Sequence, residues 1–355
     1  RPIVVWNITR RCNLRCVHCY SDSEPKHYPG ELTLFESLNV IDDLARFRVP
    51  AVLLSGGEPM LHRHFFELAR YAVSSGLRVT VSTNGSYVDP AAARELKRLG
   101  VSYVGISLDG IGATHDEFRG QSGAFDKAVA AFRNCAAAGQ KSGLRLTLSR
   151  NTVRDLERIL DFIESENIQR VCFYHLVYSG RGANLGLLEP HETRGALDMI
   201  MERTRAWAES GQSREVLTVD QPADGAYLYK RLLRENPERA RQAYELLSWN
   251  GGGANSSGVG IANIDPQGNV HPDQFWQSVT LGNVRDQPFS GIWRGSNHPT
   301  LRGLRNRLPL LEGRCASCKF KPICGGGFRV RAEQAHGNPW GDDPGCYLSD
   351  EEIGV

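Results

Sequence analysis

A chain of 355 residues, 41% hydrophobic and 23% charged, has the composition of a soluble globular protein. At roughly 150 residues per domain it holds about two domains, or one large domain with an appendage. The net charge of +2 lacks the basic excess of a nucleic-acid binder, no apolar run is long enough to span a membrane, and no signal peptide is visible. The chain opens at Arg1 with residues that already read as a strand, which leaves a preceding piece of chain open.

The first half alternates strands and helices. Ile3 to Ile8 is a short apolar strand. Thr33-Leu-Phe-Glu36 is a capping box opening a helix to about Phe47. A strand follows at Ala51 to Leu54, then helical spacing from His62 to Ser75. Leu77 to Val81 is β-rich. Asp89 caps a helix with Pro90 at its first position, and Val101 to Leu108 is a strand. The helix Ala124 to Ala138, the strand Leu144 to Leu148, a helix capped by Thr152 and the strand Val171 to Val177 complete the series. Strands separated by helices of this length imply right-handed βαβ units on a parallel sheet. About six units fit before residue 182, which predicts an α/β fold built as a partial (β/α)6 barrel over 1–182. Residues 183–250 read as a helical, charged connecting segment without a strand. Residues 251–355 read as a loop-rich domain opened by a β-hairpin around Asp265-Pro-Gln-Gly-Asn269.

Nine cysteines are informative by placement: three near the start, four near the end, and Cys135 and Cys172 alone. An odd total in two dense groups argues against a secreted disulfide framework and for metal ligation in a reducing compartment, hence a cytoplasmic protein. The two lone cysteines read as small core residues. Cys12, Cys16 and Cys19 must converge on one object. A cubane iron–sulfur cluster takes four ligands, so three cysteines leave one iron open for an exogenous chelator. The bland alternative is a structural zinc site completed by His18, although zinc more often uses paired Cys-x2-Cys units. Further polar groups end successive strands: Ser55-Gly-Gly-Glu-Pro59, Ser82-Thr-Asn-Gly85, Ser107-Leu-Asp-Gly110 and Ser149-Arg-Asn151. Each alone is an ordinary turn. Together they lie at the carboxyl ends of the strands, the face on which parallel β/α folds place their sites.

This spacing and these strand-end groups resemble the radical S-adenosylmethionine (SAM) signature over residues 1–182. The resemblance implies a [4Fe-4S] cluster on Cys12, Cys16 and Cys19 whose open iron binds SAM, with Tyr20, Gly56, Gly57, Glu58, Ser82, Asn84, Ser107, Asp109 and Ser149 as the cofactor-binding set. It also implies reductive cleavage of SAM to a 5′-deoxyadenosyl radical, fed by a low-potential donor such as flavodoxin or ferredoxin. Glu58 is expected to accept from the SAM ammonium.

Cys315, Cys318, Cys324 and Cys346 make a closed four-thiolate set, which spacing alone leaves open between zinc and iron–sulfur. With the preceding hairpin they resemble the SPASM auxiliary-cluster extension. That extension carries seven cysteines. Here His271-Pro-Asp273 stands where it usually has a cysteine after the proline, so one auxiliary [4Fe-4S] cluster is expected, and His271 or Asp273 stays open as a further ligand.

The segments Tyr174 to Gly182, His271 to Trp276, Leu281 to Val284 and Cys346 to Gly354 resemble the radical SAM enzymes of haem d1 biosynthesis. That resemblance implies removal of propionate side chains from an iron tetrapyrrole, didecarboxysirohaem. The alternatives are the acetate-removing enzyme of the alternative haem pathway, a radical SAM peptide maturase, and a non-enzymatic iron–sulfur or zinc protein. A carboxylate-rich macrocycle calls for arginine forks and aromatic faces. The substrate candidates are therefore His175, Tyr178, Arg181 and Arg329, with Tyr174, Arg331 and Lys321 nearby; the bland reading of each arginine is a solvated charge.

Overall fold

The computed structural model describes residues 1–355. Seven parallel strands follow one another across a single sheet. These are β1 (Ile3–Thr9), β2 (Val52–Gly56), β3 (Val79–Thr83), β4 (Tyr103–Ser107), β5 (Ser142–Leu148), β6 (Arg170–His175) and β7 (Glu215–Val219). Helices α1 (Leu34–Phe47), α2 (Phe65–Ser74), α3 (Pro90–Leu99), α4 (Ala113–Arg119), α5 (Ala124–Ala137), α6 (Leu156–Ser165) and α7 (Pro190–Glu209) link them. The starts are set as the sequence predicts. Thr33 and Glu36 form a reciprocal capping box on α1, and Asp89 accepts from Ala92 N at the start of α3.

The partial barrel is present, with two differences. The segment 183–250 is not purely helical: it supplies β7, which pairs in parallel with β6, before α8 (Ala223–Glu235) and α9 (Pro237–Trp249). The hairpin of β8 (Ile261–Ile264) and β9 (Asn269–His271) does not stand apart. β8 pairs in parallel with β1, and the sheet ends in β10 (Gly282–Asn283), giving the order β10-β9-β8-β1-β2-β3-β4-β5-β6-β7. One apolar core runs from Val4 on β1 to Leu301, so the hairpin shares the barrel's interior. A smaller core joins Leu197, Ala223 and Ala226 to Phe320, Ile323 and Tyr347, seating the last cysteine group on α7 and α8. Cys135 and Cys172 are buried on α5 and β6.

Candidate active site

The first cysteine loop leaves the carboxyl end of β1 and is fastened to the end of β2. Gly57 N donates to Thr9 O at 2.8 Å and Glu58 N to Arg11 O at 2.9 Å. Only glycine permits this approach: a Cβ on Gly57 would lie 2.3 Å from Arg11 O, and one on Gly56 2.2 Å from Thr9 O. Glu58 is fully buried behind this contact. Its carboxylate accepts from Thr83 Oγ1 at 2.8 and 2.9 Å, Asn84 N at 2.8 Å and Met60 N at 3.2 Å. Burial pushes its pKa up to about 7. Glu58 therefore ties the end of β3 to the turn that follows β2, beside the cysteine loop.

Each of the three sulfurs has a donor. Asn84 Nδ2 reaches Cys12 Sγ at 3.8 Å while also donating to Asn13 Oδ1 at 2.9 Å. Leu14 N reaches Cys12 Sγ at 3.4 Å, Ser23 N reaches Cys19 Sγ at 3.4 Å, and Arg119 Nη1 reaches Cys16 Sγ at 3.6 Å. Donors aimed at sulfur fit thiolates, the form in which cysteine ligates iron. Burial pushes Cys12 up to about 12 and raises Cys16, so the free thiols hold their protons at neutral pH and ligation releases them. The zinc alternative fares worse. Its fourth ligand would be His18, which instead stacks on Phe118 with ring centroids 4.5 Å apart.

Asp109 is fully buried and does not face the cavity. One carboxylate oxygen accepts from Thr147 N at 2.7 Å and the other pairs with Arg119. It thus positions Arg119, a residue that sequence reasoning missed, between Cys16 and the cavity. Ser149 is likewise withdrawn: its Oγ lies 3.2 Å from Thr152 Oγ1 in a closed turn, off the cavity wall.

The cavity itself, about 730 Å³, opens at the carboxyl ends of the strands. Ser55, Ser82, Ser107, Tyr20 and Arg119 line it near the cysteine loop, and Arg145, Tyr174, His175 and Asp220 line it along β5 to β7. Four buried polar atoms of its lining residues have no partner within the protein: His18 Nδ1, Arg119 Nε, Asp220 Oδ2 and Gln274 Oε1. Such atoms are costly to bury unless a ligand satisfies them. Tyr20, whose hydroxyl donates to Asn7 Oδ1 at 3.0 Å, also borders a second, polar cavity of about 1150 Å³ that reaches Ser179 and the hairpin turn at Pro266.

Of the predicted substrate residues His175 lies on the first cavity's wall, with Tyr174 beside it. Its Nε2 is 2.9 Å from Asp224 Oδ2, and Tyr347 Oη donates to the other oxygen of Asp224 at 2.9 Å. Tyr178 is off that wall. Arg181 holds the cysteine loop, donating to Cys16 O at 2.8 Å, Asp22 Oδ1 at 2.7 Å and Ser23 O at 3.0 Å. Arg329 is fully buried and donates to Pro339 O at 3.0 Å and Gly341 O at 2.6 Å. Arg331 makes a buried bidentate pair with Asp343 at 2.7 and 2.8 Å and donates to Leu176 O and Asp220 O, both at 3.1 Å. These three arginines fasten the structure where substrate contact was expected of them.

Cys315, Cys318, Cys324 and Cys346 all line one cavity of about 420 Å³, with Lys321 at its edge. His271 and Asp273 are elsewhere. His271 Nδ1 lies 2.7 Å from Val279 O, and Asp273 accepts from Ser257, from Phe275 N at 2.8 Å and from Trp276 N at 3.0 Å. The four thiols therefore form a closed set suited to a fully ligated cluster.

Two family models match: the radical SAM superfamily over residues 6–163 and an iron–sulfur cluster-binding domain, SPASM, over 257–319. The chain belongs to the radical SAM superfamily, with SAM, a [4Fe-4S] cluster and an auxiliary iron–sulfur site as its cofactors. It is 52% identical to the Fe-coproporphyrin III synthase of Methanosarcina barkeri, over all of this chain and 90% of the relative. It is 43% identical to the pre-heme d1 synthase of Dinoroseobacter shibae, over all of this chain and 88% of the relative. In fold it is similar to anSMEcpe with bound AdoMet, at a TM-score of 0.74 and 18% identity, over 99% of this chain and 96% of the other. No helix is long and apolar enough to cross a membrane.

Proposed function

We propose that the chain removes acid side chains from an iron tetrapyrrole and yields Fe-coproporphyrin III. The observation that carries this is the full-length 52% identity to an Fe-coproporphyrin III synthase. The lower identity, 43%, to a pre-heme d1 synthase makes the propionate-removing reading the second one and favours the acetate-removing alternative. The cavity chemistry agrees. Its lining combines Arg145 with the apolar faces of Leu176, Val177 and Phe275, as an acidic macrocycle requires.

Bound together, the cluster and SAM supply one-electron cleavage of the sulfonium and abstraction of hydrogen from an unactivated carbon. The protein's own work is placement. Ser55, Ser82, Ser107 and Tyr20 offer hydroxyls to the polar groups of SAM beside the cysteine loop. Arg119, fixed by Asp109, offers its unpaired Nε in the same region. Asp224 orients His175 toward the substrate side, and Tyr347 on the same carboxylate adjoins Cys346. Hydrogen bonds thus link the cavity wall to Tyr347, the covalent neighbour of Cys346, in keeping with an electron-accepting role for the auxiliary site. The units acting together are the barrel 1–182, the connecting segment 183–250 with its added strand, and the auxiliary domain 251–355. A low-potential flavodoxin or ferredoxin in a reducing cytoplasm is the matching donor.

The test is anaerobic turnover of the reconstituted protein with didecarboxysirohaem, SAM and a reductant, read by product mass and 5′-deoxyadenosine. Loss of acetate groups supports the first reading and loss of propionate groups the second. Neither mass loss nor 5′-deoxyadenosine would sink both. Cys318→Ala should still cleave SAM while losing product; product at the normal rate would end the electron-acceptor role.

A further inference from the structure

Within the cavity one cation lacks an anion. Arg145 points inward from β5 through a gap left by its neighbour on β4: a Cβ on Gly105 would stand 2.6 Å from Arg145 Cδ. The guanidinium lies over the Tyr174 ring, 4.8 Å from its centroid, and makes its one side-chain hydrogen bond to Tyr174 Oη. It forms no ion pair, whereas Arg119 in the same cavity is matched by Asp109. A half-buried guanidinium that lines a cavity without a carboxylate is a ready receptor for one.

Two strands along, Asp220 follows β7 with φ +67°, a left-handed conformation that aspartate and asparagine adopt more readily than most residues. It lines the same cavity, its Oδ2 is buried without a partner, and its side chain accepts no hydrogen bond in the protein. Burial, and then the nearby charge of Asp273, push its pKa up to about 7, so the neutral acid is available as a donor. The cavity therefore holds a guanidinium, a hydroxyl and a carboxylic acid, and the first and last do not satisfy each other.

We propose that Arg145, Tyr174 and Asp220 form a carboxylate-recognition site that grips an acid side chain of the substrate from the β5–β7 side of the cavity. Arg145 and Tyr174 donate to the substrate carboxylate, and the acid of Asp220 donates a further hydrogen bond. This rests on the tetrapyrrole reading and adds to it the residues that select an acid side chain and set its distance from the SAM side of the cavity.

The experiment measures binding of didecarboxysirohaem and of its methyl ester to the anaerobically reconstituted protein by visible titration, with SAM affinity measured in parallel. Arg145→Gln should weaken the acid about 10- to 100-fold, the loss expected for a charge-assisted hydrogen bond. It should bind the ester as the wild type does and keep SAM affinity unchanged. Arg145→Lys, which keeps charge and bulk, should lose less. Asp220→Asn retains a donor and should stay within a few-fold of wild type, while Asp220→Leu should fall as Arg145→Gln does. Equal losses for acid and ester, a loss confined to SAM, or no loss at all would each overturn the proposal and leave the tetrapyrrole reading standing. A wild-type protein that binds neither tetrapyrrole would overturn both.

Discussion

The contact between β2 and the cysteine loop makes a strong demand that a single methyl group can probe. In Gly57→Ala the new Cβ would stand 2.3 Å from Arg11 O and 2.6 Å from Arg10 O, where real Cβ atoms essentially never approach within 3.0 Å. The loop must retreat by at least the difference between 2.3 and 3.0 Å, and the atoms in the way are backbone, which cannot swing aside. Overpacking of this kind costs about 1–3 kcal/mol. Retreat also stretches the Gly57 N to Thr9 O and Glu58 N to Arg11 O bonds, at about 1 kcal/mol each. The closed loop should thus lose ~3–5 kcal/mol, enough to open the three-cysteine site while the distant four-cysteine site is untouched. Anaerobic reconstitution should leave roughly half the wild-type iron and sulfide, for two four-iron clusters reduced to one. Circular dichroism should remain that of the folded protein, and SAM cleavage should be lost. A variant with full iron content and wild-type SAM cleavage would refute the argument that this backbone approach holds the cluster loop.

Asp220 predicts a pH dependence. Its folded pKa is raised to about 7 from an unfolded value of 3.8 by burial and Asp273, against the lowering effects of Arg331 and Arg145. The folded state keeps the proton longer, so this site's contribution is most favourable below pH 4 and is lost as pH rises through 7, by at most about 4 kcal/mol. Asp220→Asn should therefore gain stability over wild type in denaturant at pH 8 and little at pH 4; equal gains at both would refute it. Arg181→Ala removes three donors from the cysteine loop and should cost about 2–3 kcal/mol there, seen as faster loss of the cluster's visible absorbance in air. Arg331→Met strands the buried Asp343 carboxylate and should destabilise the protein by about 3–5 kcal/mol in thermal melts. A melt like that of wild type would mean the pair is replaceable.

The parts of the site that lie close together in sequence were legible from it. Three cysteines within eight positions, glycine pairs at a strand end and caps such as Thr33 act over a few residues, and the structure keeps them. What escaped depends on distant partners. Asp109 reads as one more strand-end polar residue until Arg119 is seen against it, and nothing in the spacing says which of the 42 lysines and arginines that is. Arg145 alternates with the core leucines Leu144 and Leu146 and so shares the cavity face with Thr147, but that this face is a cavity with room beside Gly105 is not written in the strand's own alternation. The strand β7 is five residues long, half-buried and set among charged helices, so its alternation was too short to register. Arg181 and Arg331 lie near the motifs in sequence; burial and carbonyl partners, invisible there, decide that they fasten rather than bind.

The pairing of β8 with β1 has a temporal side. Val5 O accepts from the Asn263 side chain across 258 residues of chain, and β1 has no other neighbour on that flank. On a ribosome, the barrel's first strand waits with an unpaired edge while most of the protein is made, and the cysteine loop hangs from that same strand. Such an edge invites pairing with other chains, and long-range pairing is slow to form. Cluster delivery is thereby best timed to the end of synthesis, when the hairpin arrives to close the flank, and truncation before residue 261 should leave a chain that aggregates before it can take up iron.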